Sequence, residues 1–278
     1  MRIRKQTFQN IINRIRKEFW WIAHPGDLKT YPVFITGVQR SGTTMIGSCL
    51  NKSPELRYYN ENNGLVYERF KLKNGAVIQS ILDGCRGKIA AFKPLLDSHR
   101  VAELLTRFDD SRAIWIYRNH VDRAASAVAK FGSHNYEILK AISKGQQLDS
   151  WQAQGLTKED IAVIQDLDFN DTTPIEAAAV FWYLRNKLFF NQGLQNNNQV
   201  LPVAYENFVR QPAESMNVIC RFIGCHFSAR MIATVHTKSI GRHTDSMLTQ
   251  SLNERCDRLY QQLEKTREHR EQMLLSST

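Results

Sequence analysis

The run Pro32-Val33-Phe34-Ile35-Thr36-Gly37-Val38-Gln39-Arg40-Ser41-Gly42-Thr43-Thr44-Met45-Ile46-Gly47-Ser48-Cys49-Leu50 constrains the fold of this chain more than any other stretch. A β-branched and aromatic segment stops at a glycine, a polar loop follows, and an apolar pattern resumes at helical spacing. That order predicts a strand, an anion-binding loop and a helix. Gly37 and Gly42 let the backbone turn tightly and approach an anion, while the unpaired N–H groups of the helix start point at it. From Gly37 to Thr44 the loop nearly fits the phosphate-loop pattern GxxxxGK[ST], but Thr43 stands where that pattern has lysine. The cation that neutralises a transferred group must then come from another position, and Arg40, inside the loop, is the candidate. This substitution argues against an ordinary nucleoside triphosphatase.

Arg40-Ser41-Gly42-Thr43-Thr44 after a buried strand resembles the 5′-phosphosulfate loop of the PAPS-dependent sulfotransferases, which move a sulfuryl group from 3′-phosphoadenosine 5′-phosphosulfate (PAPS) to a hydroxyl or amine. A second match lies at Arg118, which closes the predicted buried strand Arg112–Tyr117, and at Ser126, eight residues on. Members of that family bind the 3′-phosphate with an arginine and a serine so spaced. The physics agrees, because a strand-end arginine makes charge-assisted, often bidentate bonds to phosphate oxygens. His120 replaces a proline common at that turn. Two loops matching the two ends of one nucleotide are more specific together than either is alone.

The resemblance spans Pro32 to about His243 and is to bacterial members similar to the tyrosylprotein and carbohydrate enzymes. It implies further roles. Glu61, past the strand Glu55–Tyr59, falls where those enzymes carry the glutamate that takes the acceptor's proton. Lys93, ending the strand Lys88–Pro94, falls where several families place a lysine that reaches the sulfuryl group. The histidine that serves as base in the cytosolic enzymes has no counterpart, since Pro94-Leu95-Leu96 follow Lys93. Tyr205-Glu206 resembles a stretch whose tyrosine approaches the nucleotide. Trp182, in a long helix from Ile175 to about Leu194, suits either the adenine's surroundings or ordinary core. Lys238 and Arg242 resemble the basic segment that folds over the nucleotide, and a solvated basic loop accounts for them equally. PAPS as donor, PAP as product and no metal are expected, since cationic side chains do what Mg²⁺ does in phosphoryl transfer.

Alternating strands and helices call for a three-layer α/β/α architecture around a parallel sheet, with ligands at the carboxyl ends of the strands. Residues 1–30 form a basic amphipathic helix segment and 31–278 one sulfotransferase domain. Within that domain, residues 132–172, with Trp151 and a capping signal at Thr157–Asp160, are read as the cover of the acceptor site. Two helical pieces are expected over 65–72 and 76–82, another helix over 97–108, and a charged structural helix from Ser251 onward. The aspartates 166, 168 and 171 lack metal-ligand spacing and read as a solvated loop.

The net charge of +10 is concentrated at the start, where Arg2, Arg4, Lys5, Arg14, Arg16 and Lys17 precede the first acid, Glu18. The predicted helix from about Lys5 to Trp21, with Phe8, Ile11, Ile12, Ile15, Phe19 and Ile22 on one side, suits a brace on the domain or a contact with an anionic membrane. No secretory or membrane-spanning apolar run occurs. Golgi sulfotransferases carry an N-terminal anchor, so a bacterial cytoplasmic enzyme, or a chain without its anchor, is the expectation, with reduced thiols at its five cysteines.

Two rival functions stand beside a sulfotransferase acting on a carbohydrate, glycolipid, protein tyrosine or small alcohol. A P-loop kinase predicts the missing lysine and a magnesium dependence. A non-catalytic nucleotide- or nucleic-acid-binding module predicts binding that weakens steeply with salt. The aromatic and basic spacing of nucleic-acid motifs is absent, so no nucleic-acid partner is expected.

Overall fold

The computed structural model describes residues 2–23, 29–236 and 247–276. The chain begins with α1 (Arg2–Ala23), β1 (Tyr31–Gly37), α2 (Thr43–Leu50) and β2 (Leu56–Tyr59). A hairpin of β3 (Tyr67–Glu68) and β4 (Lys71–Leu72) follows, then α3 (Gly75–Asp83), β5 (Ile89–Phe92), α4 (Val101–Arg107) and β6 (Arg112–Tyr117). Next come α5 (His120–Phe131), α6 (His134–Ser143), α7 (Lys158–Gln165) and α8 (Pro174–Asn191). The chain ends with β7 (Val200–Ala204), α9 (Tyr205–Arg210), α10 (Pro212–Ile223), α11 (Ala229–Ile232) and α12 (Gln250–Ser276).

Five strands form a sheet in the order β2-β5-β1-β6-β7, every neighbouring pair parallel. Their residues are apolar on both sides because helices cover both faces. Val33, Ile35, Ile114 and Ile116 face one core with α2, α9 and α10. Phe34, Phe92, Trp115 and Tyr117 face the other with α3, α4 and α12. Pro202 is tolerated in β7 because that strand lies at the sheet's edge. The connections leave β1 first toward β2 and β5, then toward β6 and β7, so the strand order reverses at β1 and β6. A crevice for a ligand opens at the carboxyl ends of such a pair.

Local signals set the helix starts. Thr157 and Asp160 form a capping box at α7, and Thr173 and Glu176 form another at α8 with Pro174 in its first turn. Gly224 ends α10 in the left-handed conformation. The five cysteines are free thiols, of which Cys49, Cys220, Cys225 and Cys256 are buried. The C-terminal helix is structural, as expected: α12 packs on α8 and β7 and buries Cys256, Leu259 and Leu263.

Two expectations need correction. Residues 65–72 are not helical. The hydroxyl of Tyr67 accepts from Lys93 N at 2.6 Å, and Leu72 N donates to Asp97 Oδ2 at 2.8 Å, so tertiary bonds hold the stretch as a hairpin against its helical spacing. The helix over 97–108 divides into a 3₁₀ turn, Ser98–Arg100, and the shorter α4.

For α1 the sequence left a brace and a membrane contact open, without saying which side docks. The helix docks on the domain through its polar side: Lys17 Nζ donates to Asn51 Oδ1 at 2.8 Å and to Leu56 O at 2.6 Å, Arg16 donates to Lys52 O, and Trp21 is buried. Burial, helped by Arg16 and Arg57, pushes the Lys17 ammonium down to about 7. Of the apolar stripe, Ile12, Ile15, Phe19 and Ile22 face away, with Phe19 69% and Ile22 67% exposed. Among the described residues no helix is long and apolar enough to cross a membrane.

Candidate active site

The loop between β1 and α2 is shaped by close backbone approach. Gly37 has φ 128°, and a Cβ there would lie 2.0 Å from the carbonyl oxygen of Ile116 on β6. Gly42 has φ 93°, and its Cβ would meet the Tyr205 ring at 2.3 Å. Both positions therefore demand glycine. Arg40 holds a left-handed φ of 71°, a conformation that a non-glycine residue keeps only when its surroundings enforce it.

Arg123 supplies much of that enforcement. It is fully buried on α5, donates from Nε to Gln39 O at 2.9 Å and from Nη1 to Ala178 O at 2.8 Å, and lies over the Phe181 ring. Burial, with Arg40 nearby, pushes its guanidinium well below the usual arginine range. Arg118 Nη1 reaches Arg40 O at 3.4 Å. Ile46 N is the first N–H of α2 to bond back, to Gly42 O, so those of Thr43, Thr44 and Met45 have no acceptor within the helix. Ser41 differs from the other loop residues: it is fully buried and its N–H donates to Val38 O, so it shapes the turn.

Beyond the loop lies a cavity of about 630 Å³ whose walls include Arg40, Gly42, Thr43, Thr44, Arg118, Ser126 and Tyr205. The structure thus brings both sequence motifs to one space, with Arg40 Nε donating to Ser126 Oγ at 3.2 Å. Arg118 is set from several sides. Its guanidinium lies 4.6 Å from the Tyr205 ring centre, Asp122 Oδ2 is 3.7 Å away one turn along α5, and Glu206 Oε1 is 4.0 Å away. Burial raises the Glu206 carboxyl, and the Asn119 N–H that donates to it works in the opposite direction.

Asp122 escaped the sequence reading, although its i,i+4 spacing from Arg118 was a usable signal. Trp182 does not line this cavity. It is fully buried, packs on His120 and donates to Arg118 O at 2.8 Å, so of the two sequence readings the core one holds. Lys238 and Arg242 lie outside the described residues.

Glu61 and Lys93, distant in sequence, meet here. Lys93 is only 2% exposed, and its Nζ donates to Glu61 Oε1 at 2.8 Å and to Thr44 Oγ1 at 2.7 Å. Parallel pairing of β5 with both β1 and β2 sets the two side chains at the same end of the sheet. The second oxygen of Glu61, Oε2, is buried with no hydrogen-bond partner.

Glu61 also lines a second cavity of about 330 Å³, walled by Gln39, Asn62, Phe70, Leu95, Leu96, Phe131, His134 and Trp151. Lys93 therefore links the walls of a cationic space and an apolar one. The segment read as a cover contributes His134 and Trp151, whereas Phe70 was hidden by the helical reading of 65–72. Carboxylate, ammonium and loop N–H groups at one junction can deprotonate a hydroxyl and stabilise charge developing on a tetrahedral anion. Among the described residues no cluster of histidine, cysteine, aspartate or glutamate has the geometry of a metal site.

A family model described as a sulfotransferase domain matches residues 31–273. Among solved structures, the sulfotransferase domain from the Synechococcus PCC 7002 olefin synthase is similar with TM-score 0.55 and 15% identity, covering 87% of this chain and 98% of that one. A sulfotransferase from Alicyclobacillus acidocaldarius aligns with TM-score 0.48 and 16% identity over 85% of this chain and 94% of that one. A mouse sulfotransferase complexed with PAP aligns with TM-score 0.44 and 14% identity over 89% of each. No curated protein matches the chain.

Proposed function

The chain belongs to the sulfotransferase domain family, and from that premise we propose that it transfers a sulfuryl group from PAPS to an acceptor hydroxyl, with Glu61 as general base. The larger cavity suits the donor, because unpaired N–H groups and two arginines at one crevice fit a ligand with two anionic ends. Arg40 and the N–H groups of Thr43 and Thr44 would hold the 5′-phosphosulfate, and the Thr43 and Thr44 hydroxyls assist. Arg118 and Ser126 would hold the 3′-phosphate, with Tyr205 beneath the arginine; Lys238 or Arg242 is proposed to help hold it.

Glu61 takes the proton of the acceptor hydroxyl as that oxygen bonds to sulfur and the bond from sulfur to the bridging phosphate oxygen breaks. The electron pair leaves with the 5′-phosphate of PAP. Lys93 and Arg40 stabilise the charge growing on the sulfuryl and bridging oxygens. The observation that carries this reading is the pair of hydrogen bonds that Lys93 Nζ donates, to Thr44 on the donor side and to Glu61 on the acceptor side.

Calorimetric titration with PAP tests it, using wild type, Arg40→Ala and Arg118→Ala beside ATP with magnesium. PAP is expected to bind well above ATP, and each variant to lose on the order of tenfold to a hundredfold in affinity. A preference for ATP, or variants that bind PAP like wild type, would overturn the assignment.

We also propose that α1 touches an anionic membrane, which fits a cytoplasmic, membrane-peripheral enzyme. The outward stripe of Ile12, Ile15, Phe19 and Ile22 supports this, since it lies on a helix whose sequence carries Arg2, Arg4, Lys5 and Arg14 besides the Arg16 and Lys17 that bond the domain. Phe19→Asp should release the protein from phosphatidylserine vesicles in a sedimentation assay without changing PAP affinity; equal sedimentation of both proteins would refute the contact.

A further inference from the structure

The acceptor named above only as a hydroxyl compound can be narrowed from the smaller cavity, an argument that rests on the sulfotransferase reading. We infer that the acceptor is a phenol or alcohol carried on a flat apolar body, of about naphthol size, and not a saccharide.

Four observations carry this. The cavity of about 330 Å³ is at the small end of ligand sites, and Leu95, Leu96, Phe70, Phe131 and Trp151 dominate its walls. Gln39, Glu61, Asn62 and His134 can partner some hydroxyls of a sugar there, but those turned to leucine and phenylalanine would go without, and each hydroxyl without a partner opposes binding.

The second observation is the β3–β4 turn. Arg69 and Phe70 both have positive φ, 48° and 67°, as a two-residue hairpin turn of this kind requires. Glycine or asparagine suits such positions, yet the chain places a phenylalanine there, 53% exposed and lining the cavity. Neither backbone preference nor burial in the core explains that ring, whereas contact with an apolar ligand does.

Third, Trp151 is held in advance. The fully buried Arg185 donates to Trp151 O at 3.1 Å and Gln154 O at 3.0 Å, lies 5.4 Å from the Trp151 ring centre, and anchors to Ser98 Oγ at 2.6 Å. An aromatic wall fixed before binding loses little freedom when a ring stacks on it. Fourth, Glu61 lines the same cavity and retains Oε2 without a partner, an acceptor for the hydroxyl of the bound ligand.

The test is calorimetric titration of 2-naphthol and of cellobiose into the full chain without donor, for wild type and Phe70→Gly, with PAP titrated in parallel. Glycine fits the turn, so the variant should keep its melting temperature, and any loss reports the ring. Wild type should bind 2-naphthol but not cellobiose, and Phe70→Gly should weaken 2-naphthol about tenfold while leaving PAP unchanged. Cellobiose binding as tightly as 2-naphthol, no binding of 2-naphthol, or Phe70→Gly binding it like wild type would overturn the inference. Loss of PAP binding alone would instead count against the donor reading, so the two failures are distinguishable.

Discussion

The two cavities whose walls Lys93 bonds together are built by opposite means. The larger is built mostly on backbone turns, two glycines and a helix start with Arg40 and Arg118 beside them, from two short stretches of chain and Tyr205 from a third. The smaller is defined by side chains from segments scattered between Gln39 and Trp151, with the sheet contributing only the approach of Glu61 and Lys93. Phosphate and sulfate present the same oxygens whatever is attached to them, so main-chain N–H groups and a few cationic side chains at fixed spacing serve one side. An acceptor has its own shape, and only side chains on variable loops can match it.

Cutting the junction is the strongest way to break this comparison. Glu61→Gln keeps the size of the side chain and removes the base, so kcat should fall about 10²- to 10⁴-fold while PAP affinity stays at the wild-type value. A variant that turns over normally would mean the apolar cavity is not where the hydroxyl is deprotonated.

The buried arginines sharpen the comparison because they serve the two sides unequally. Arg123 holds Gln39, which belongs to the phosphate loop and also walls the smaller cavity, whereas Arg185 holds Trp151, a wall of the smaller cavity alone. Arg123→Met should weaken PAP about tenfold and 2-naphthol by less, and Arg185→Met should weaken 2-naphthol about tenfold and leave PAP unchanged. Each strands carbonyl oxygens without a donor, so calorimetric melting temperatures should fall on the order of 5 °C in both. Identical losses for both ligands in both variants would show that the two cavities are mechanically one.

The smallest expected effect is a pH dependence on the acceptor side. Burial, with Arg185, Arg100 and Lys71 around it, pushes the His99 imidazole down to about 4. The unfolded chain therefore takes up this proton first as the solution is acidified. The stability contributed by neutral His99 is complete above about pH 6.5 and is lost as pH falls toward 4. In melting curves from pH 7 to 5, His99→Gln should lose less stability than wild type; parallel losses would rule His99 out as a source.

The legibility of the chain follows the same division. Strand β6 and the pair Arg118 and Ser126 were readable because a buried parallel strand is a continuous apolar run and the turn after it has fixed spacing. The hairpin at 67–72 was misread as helix, because its conformation rests on the Tyr67 hydroxyl and on Asp97, which no local pattern announces. The apolar stripe of α1 was visible, but not its direction, since a helical period says which residues share a face and nothing about which face meets the domain.

By itself, then, the sequence determined the α/β architecture, the phosphate loop and the strand-end arginine, because these depend on backbone conformation and on contacts close along the chain. The tertiary structure decided that Lys93 bonds Thr44 and Glu61 at once, that Phe70 and Trp151 wall one cavity, and that α1 turns its apolar side outward. Those outcomes come from strand order and from packing between distant segments, where the partner of each side chain is chosen by the whole fold.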